Sequence, residues 1–214
     1  MNIQQKIELA QRVAKDIPEG SYVNLGIGLP TLVADYFAEK EVILHSENGI
    51  LGQWTGAEVG QEDWDLINAG KEAITLKKGG AFFHHADSFG MMRGGHLNYC
   101  ILGAFQISKQ GDLANWHTGQ PDAIPAVGGA MDLAMGAKNV YVMMEHLTKH
   151  GQSKILEQCS YPLTGLECVN RAYTDIGTFE FQAGKVFVLE LVAAHTPEYV
   201  QSITAVDLDF SKLK

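Results

Sequence analysis

The residue in this chain best placed to do chemistry is a carboxylate, Glu47, in the segment Ser46-Glu47-Asn48-Gly49 that follows a short apolar run. A carboxylate is ionised at neutral pH and can attack an activated acyl group without the general base that a serine needs. Such an attack builds negative charge on a carbonyl oxygen, and a main-chain N–H aimed at that oxygen is worth roughly 3 to 4 kcal/mol in the clearest cases. Gly128-Gly129 suits that task, because a side chain there would block close approach. Taken alone, Asn48-Gly49 equally reads as a turn dipeptide beside a solvated loop carboxylate, and Gly128-Gly129 as a plain turn before a helix near Met131. His84, His85, Asp87 and His96 bring imidazole and carboxylate groups together, but their spacing matches no common zinc pattern, so no metal site is expected. Cys100, Cys159 and Cys168 are odd in number and form no CxxC, which argues for buried thiols and against a disulfide framework or a cysteine zinc site.

The elements that must position Glu47 follow from periodicity. Ile3, Ile7, Ala10, Val13 and Ala14 recur at helical spacing until Pro18-Glu19-Gly20 ends the run, which predicts an amphipathic first helix. A strand over 22–27, then Gly28 and Pro30 introducing a helix over 31–37, make a strand-glycine-helix unit. It is not a dinucleotide fingerprint, since Thr31 stands where the third glycine would be needed. A strand over 41–45 ends in Ser46-Glu47, which puts the carboxylate at a strand's carboxyl end, where ligands gather in open α/β sheets. Further strands are expected over 66–68, 97–107, 140–144, 178–182 and 185–192, and helices over 81–93, 131–137 and 197–203, the last capped by Thr196. The last two strands, joined around Ala183-Gly184, form a hairpin expected to close an edge. The alternation predicts an α/β fold, a single domain over 1–214 with a mixed, largely parallel sheet flanked by helices.

Composition narrows the functions. With 214 residues, 46% hydrophobic and 19% charged, the chain can bury one substantial core. A net charge of −9 and the lack of any Lys/Arg-rich run argue against nucleic acid. No apolar run is long enough for a membrane span, and the first residues do not resemble a secretory signal, so a cytoplasmic protein is expected.

Six segments in order carry a resemblance. Asn24-Leu25-Gly26-Ile27-Gly28-Leu29-Pro30, Ser46-Glu47-Asn48-Gly49, Leu66-Ile67-Asn68-Ala69-Gly70-Lys71, Met92-Arg93-Gly94-Gly95-His96, Gly111-Asp112-Leu113-Ala114-Asn115-Trp116 and Gly128-Gly129-Ala130-Met131-Asp132-Leu133 resemble the second, or B, subunit of the family I coenzyme A transferases from about Gln11 onward. His84-His85-Ala86-Asp87-Ser88-Phe89 and Asn115-Trp116-His117-Thr118-Gly119 look like the branch that moves CoA from succinyl-CoA to 3-oxoadipate in the breakdown of aromatic compounds. The resemblance implies a CoA-transferase-type fold, Glu47 as covalent nucleophile with Gly129 assisting, and CoA contacts at Asn24, Lys71, Gly128 and Gly129. It further implies ping-pong transfer through a glutamyl-CoA thioester, no permanently bound cofactor, and a partner A subunit in an A2B2 heterotetramer. Lys71, Arg93, His84 and His85 are the possible anchors for a substrate's far carboxylate. Where relatives carry a Gly-Leu-Gly-Pro-like stretch after the glutamate motif, this chain has Gly52-Gln53-Trp54-Thr55. Three alternatives stay open: an acetoacetate-accepting transferase with the same catalytic residues, a noncatalytic CoA-binding subunit, and a thioesterase in which water intercepts the acyl-enzyme.

Overall fold

Asn2 opens the first helix, α1 (Ile3–Asp16), through a reciprocal cap. Its side chain accepts from the Gln5 N–H at 2.9 Å, and the Gln5 side chain accepts from the Asn2 N–H at 2.8 Å. The computed structural model describes residues 1–37, 40–120, 122, 124–125, 128–192 and 194–214. After β1 (Tyr22–Leu25), Gly28 turns the chain at φ +91° into a 3-10 helix, Leu29–Tyr36, in place of the α-helix expected there. Its i→i+3 pairing is visible at both ends, in Thr31 N–H to Gly28 O at 3.0 Å and Phe37 N–H to Ala34 O at 3.2 Å.

β2 (Ile43–Ser46), β3 (Ile50–Gly56) and β4 (Ile74–Phe82) follow as antiparallel neighbours. Then come α2 (His85–Arg93), β5 (Tyr99–Leu102), β6 (Gln106–Ser108), β7 (Leu113–Ala114), α3 (Ala130–Gly136), β8 (Asn139–Met143) and β9 (Ile155–Leu156). The chain ends with β10 (Val169–Tyr173), β11 (Gly177–Gln182), β12 (Lys185–Leu191), α4 (Pro197–Ile203) and β13 (Leu208–Asp209). Thr196 caps α4 as expected, accepting from the Tyr199 N–H at 3.3 Å.

Ten strands form one mixed sheet in the order β13-β12-β11-β10-β8-β5-β1-β2-β3-β4, and β7-β6-β9 form a small second sheet. The central run from β10 to β2 is parallel, while β11 and β12 on one side and β3 and β4 on the other are antiparallel. Alternation along the central strands divides the core. Val23, Leu44, Ile101, Tyr141, Met143 and Tyr173 meet α1 and the 3-10 helix on one face. Cys100, Leu102, Val140, Val142 and Ala172 pack on the other with Met92 of α2, Leu133 of α3 and Val200 of α4.

Several expectations need correction. The helix over 81–93 begins only at His85, because Ala81 and Phe82 still pair with Leu51 and Ile50 as the end of β4. Residues 66–68 contribute a single bridge, Ile67 to Ala73. The strand over 97–107 breaks into β5 and β6, which belong to different sheets. The β11–β12 hairpin turns where expected, but β13 adds beyond it in parallel and takes the edge.

Cys100 is fully buried, and its S–H donates to Leu133 O at 3.4 Å. Burial also pushes the half-buried Cys159 and Cys168 thiols up to about 11. Among the described residues no helix is long and apolar enough to cross a membrane.

Candidate active site

The first strand, β1, has β2 on one side and β5 on the other, so the chain leaves it in both directions along the sheet. Such a switch point opens a crevice at the carboxyl ends of the strands. Here it is a cavity of about 1210 Å³ bounded by Leu25-Gly26 after β1, Ser46-Glu47 after β2, Leu102-Gly103 after β5 and Gly128-Gly129 before α3.

Glu47 stands in the tight turn between β2 and β3. The Gly49 N–H donates to Ser46 O at 3.0 Å, with Gly49 at φ +109°. A Cβ there would collide with the carbonyl oxygen of Phe83, whose own N–H donates to Gly49 O at 3.0 Å. The segment after β3 holds the same turn from outside: Asn48 Nδ2 donates to Ile67 O at 2.8 Å, and Ser46 Oγ accepts from the Ala69 N–H at 3.0 Å. The glutamate motif and the 66–71 motif, distant in sequence, are thus one local structure.

The half-buried Glu47 side chain makes no hydrogen bond among the described residues, and its carboxylate lies directly against the Cα of Gly129. Any side chain at Gly129 would overlap Glu47 Oε2. A carboxylate without a protein partner, facing a cavity and beside main chain without a side chain, can reach an acyl carbon.

Of the residues singled out from the sequence, Asn24, Glu47, Gly128 and Gly129 line this cavity together. Lys71 stands beside it: Gly70 and Glu72 line the wall, while Lys71 is exposed at a turn with φ +65°. Arg93, His84 and His85 lie elsewhere. Arg93 is exposed and paired with Asp132 at 2.6 Å, His84 caps α2 by accepting from the Ala86 N–H at 3.1 Å, and His85 meets Phe89 edge-on. Among the described residues no group of three or more His, Cys, Asp and Glu side chains could hold a metal ion.

Four residues of the site, His45, Ser88, Gln53 and Lys154, were not expected from the sequence. Asn24 Nδ2 lies 3.1 Å from His45 Nδ1 and 3.1 Å from His45 O, and His45 Nε2 lies 2.9 Å from Ser88 Oγ. Burial depresses the His45 pKa to about 4, so its ring is neutral. Its signal in the sequence was a polar ring inside the apolar run Ile43-Leu44-His45-Ser46. Gln53 lines the cavity with its buried Oε1 unpartnered among the described residues. Lys154 also lines it, its pKa lowered by burial.

Comparison with known proteins gives this geometry a context. Residues 6–204 match the family model described as coenzyme A transferase. The chain is 59% identical to the B subunit of the 3-oxoadipate CoA-transferase of Pseudomonas putida, over 97% of this chain and 99% of that protein. It is 46% identical to the B subunit of the succinyl-CoA:3-ketoacid coenzyme A transferase of Helicobacter pylori, over 94% and 97% respectively. The crystal structure of an acyl-CoA transferase from Escherichia coli O157:H7 superposes on all of this chain and 43% of that one, with a TM-score of 0.76 at 15% identity, a likeness of fold. The chain belongs to the coenzyme A transferase family.

Proposed function

We propose that this chain is the B subunit of a transferase that, with an A subunit, moves CoA from succinyl-CoA to 3-oxoadipate through a covalent glutamyl-CoA thioester on Glu47. The observation that carries the reading is the Glu47 carboxylate, free of protein partners among the described residues and set against Gly129 in the switch-point cavity. The 59% identity to a protein of that name supports the substrate pair and the subunit role.

Glu47 attacks the succinyl carbonyl and expels CoA thiolate, leaving a mixed anhydride. The thiolate then attacks the glutamyl carbonyl, succinate departs with the electron pair, and CoA is held as a thioester. The carboxylate of 3-oxoadipate attacks that thioester, CoA thiolate leaves, and its attack on the new anhydride releases 3-oxoadipyl-CoA and regenerates Glu47. The N–H groups of Gly128 and Gly129 are the donors we assign to the oxyanion that forms at each step. Lys71 supplies a positive charge beside the cavity for the CoA phosphates. Binding of the long pantetheine and nucleotide arm orients the thioester, so no resident cofactor is needed. The family's A2B2 assembly is the form we assign to the active complex.

The test is the peptide mass of the complex, assembled with its A subunit and incubated with succinyl-CoA but no acceptor. A CoA adduct on Glu47, discharged by added 3-oxoadipate, is expected. An adduct on another residue, or transfer that proceeds while rapid quenching traps none, overturns the assignment. The 46% identity to a 3-ketoacid transferase subunit favours acetoacetate as the second reading, and the ratio of kcat/KM on the two acceptors decides between them.

A further inference from the structure

The side-chain amide of Asn24 can be oriented in only one way. One of its terminal atoms lies 3.1 Å from His45 O, and a main-chain carbonyl only accepts, so that atom must be the NH2 nitrogen. The same nitrogen is 3.1 Å from His45 Nδ1, which must therefore hold a lone pair. A neutral ring with Nδ1 unprotonated carries its proton on Nε2, and Ser88 Oγ at 2.9 Å accepts it. Asn24 is 4% exposed, His45 1% and Ser88 0%, so no water competes for these positions. Both amide hydrogens of Asn24 are spent inward. Its carbonyl oxygen, Oδ1, has no donor among the described residues, and Asn24 lines the cavity.

A substrate therefore meets an acceptor at this wall. Thioester carbonyls, carboxylates and phosphates are acceptors too and gain nothing from it; only an N–H or O–H can pair there. Asn24 is in register with His45, two residues before Glu47. In a CoA thioester the N–H nearest the reacting sulfur is the first pantetheine amide, two methylenes away.

We infer that His45 is a positioning residue: held by Ser88, it locks Asn24 as the hydrogen-bond acceptor for the pantetheine amide nearest the reacting sulfur. This rests on the proposed CoA transfer and goes beyond it, because it fixes the polarity of the contact and assigns it to a histidine that touches no substrate. An asparagine free to rotate would offer its NH2 as readily as its oxygen, and would then favour acceptor groups at the place where the N–H must dock.

The experiment compares succinyl-CoA with an analogue in which that amide N–H is replaced by an ester oxygen, using the complex assembled with the A subunit. In the wild type the amide substrate is favoured in kcat/KM by about five- to tenfold, the ratio expected for one neutral hydrogen bond. In His45→Leu the ratio falls towards one, through loss of preference for the amide, while Glu47 still takes up CoA. His45→Asn, whose Oδ1 stands near the place of Nδ1, restores most of the preference. Ser88→Ala, which alters no cavity-lining residue, lowers the ratio even if His45→Leu does not assemble. A wild-type ratio near one, or the same ratio in all variants, overturns the role of His45 while leaving CoA transfer intact. If the wild type transfers no CoA from succinyl-CoA at all, the proposed function falls and this inference with it.

Discussion

Replacing Gly129 by alanine probes the closest contact in the site. The backbone there has φ −82° and ψ 3°, which alanine tolerates, so the perturbation is the added methyl alone. That methyl lands on Glu47 Oε2, 3.1 Å from Glu47 Cδ, while the Phe89 ring at 3.5 Å limits its own room to move. The Glu47 side chain is the part free to yield. Its carboxylate must swing by more than about 1 Å, and misplacement of a reacting group on that scale costs about 100-fold in rate. Moving a flexible side chain off its preferred rotamer costs only about 1 kcal/mol, so the fold should persist. The expected result is a drop of about 100-fold in kcat with near-wild-type assembly and unfolding midpoint, read by steady-state transfer and by the rate of CoA uptake on Glu47 in a single turnover. A kcat within about threefold of wild type, under about 1 kcal/mol of barrier, would show that the carboxylate does not react from beside Gly129.

Gly49→Ala tests the turn that carries Glu47: φ +109° and the collision with Phe83 O together predict a loss of more than about 3 kcal/mol in urea unfolding, and an equally stable variant would refute this account of the turn. Stability should also fall on acidification from about pH 6.5 towards 4, because burial holds His45 and His146 each at about 4 while their unfolded rings titrate near 6.5. The unfolded state then binds the extra protons, so stability rises with pH across that window, by up to about 3 kcal/mol per ring. His146→Gln should show a shallower slope between urea midpoints at pH 4.5 and 7, and an unchanged slope would remove His146 from this explanation.

Much of the site could be seen in the sequence because its parts are local. Glu47 was expected at a strand's carboxyl end, and β2 does end at Ser46. Gly128-Gly129 announced close main-chain approach, and the carboxylate against Gly129 is such an approach. Periodicity failed where tertiary pairing decides. Ala81 and Phe82 have the composition of a helix start, yet Leu51 and Ile50 claim them for β4. The strand β10 carries Asn170 and Arg171, whose polarity hid it, and these side chains are satisfied by the Val140 N–H and by Asp16. His45 stayed out of view for a related reason. A polar ring in a buried strand makes sense only with its partners, and Asn24 and Ser88 lie 21 and 43 residues away.

The three cysteines bear on a hazard of handling CoA. A protein that releases and recaptures this thiol meets CoA disulfide whenever conditions turn oxidising, and a cysteine thiolate would attack it and become capped. Only the thiolate is competent, and a thiol at about 11 is ionised in roughly one molecule in ten thousand at neutral pH, against a few per cent for an unperturbed cysteine. Cys100, shut beneath α3 with its pKa pushed higher still, is more inert. Burial chosen for packing thus also lets the cargo pass through the chain without being trapped by it.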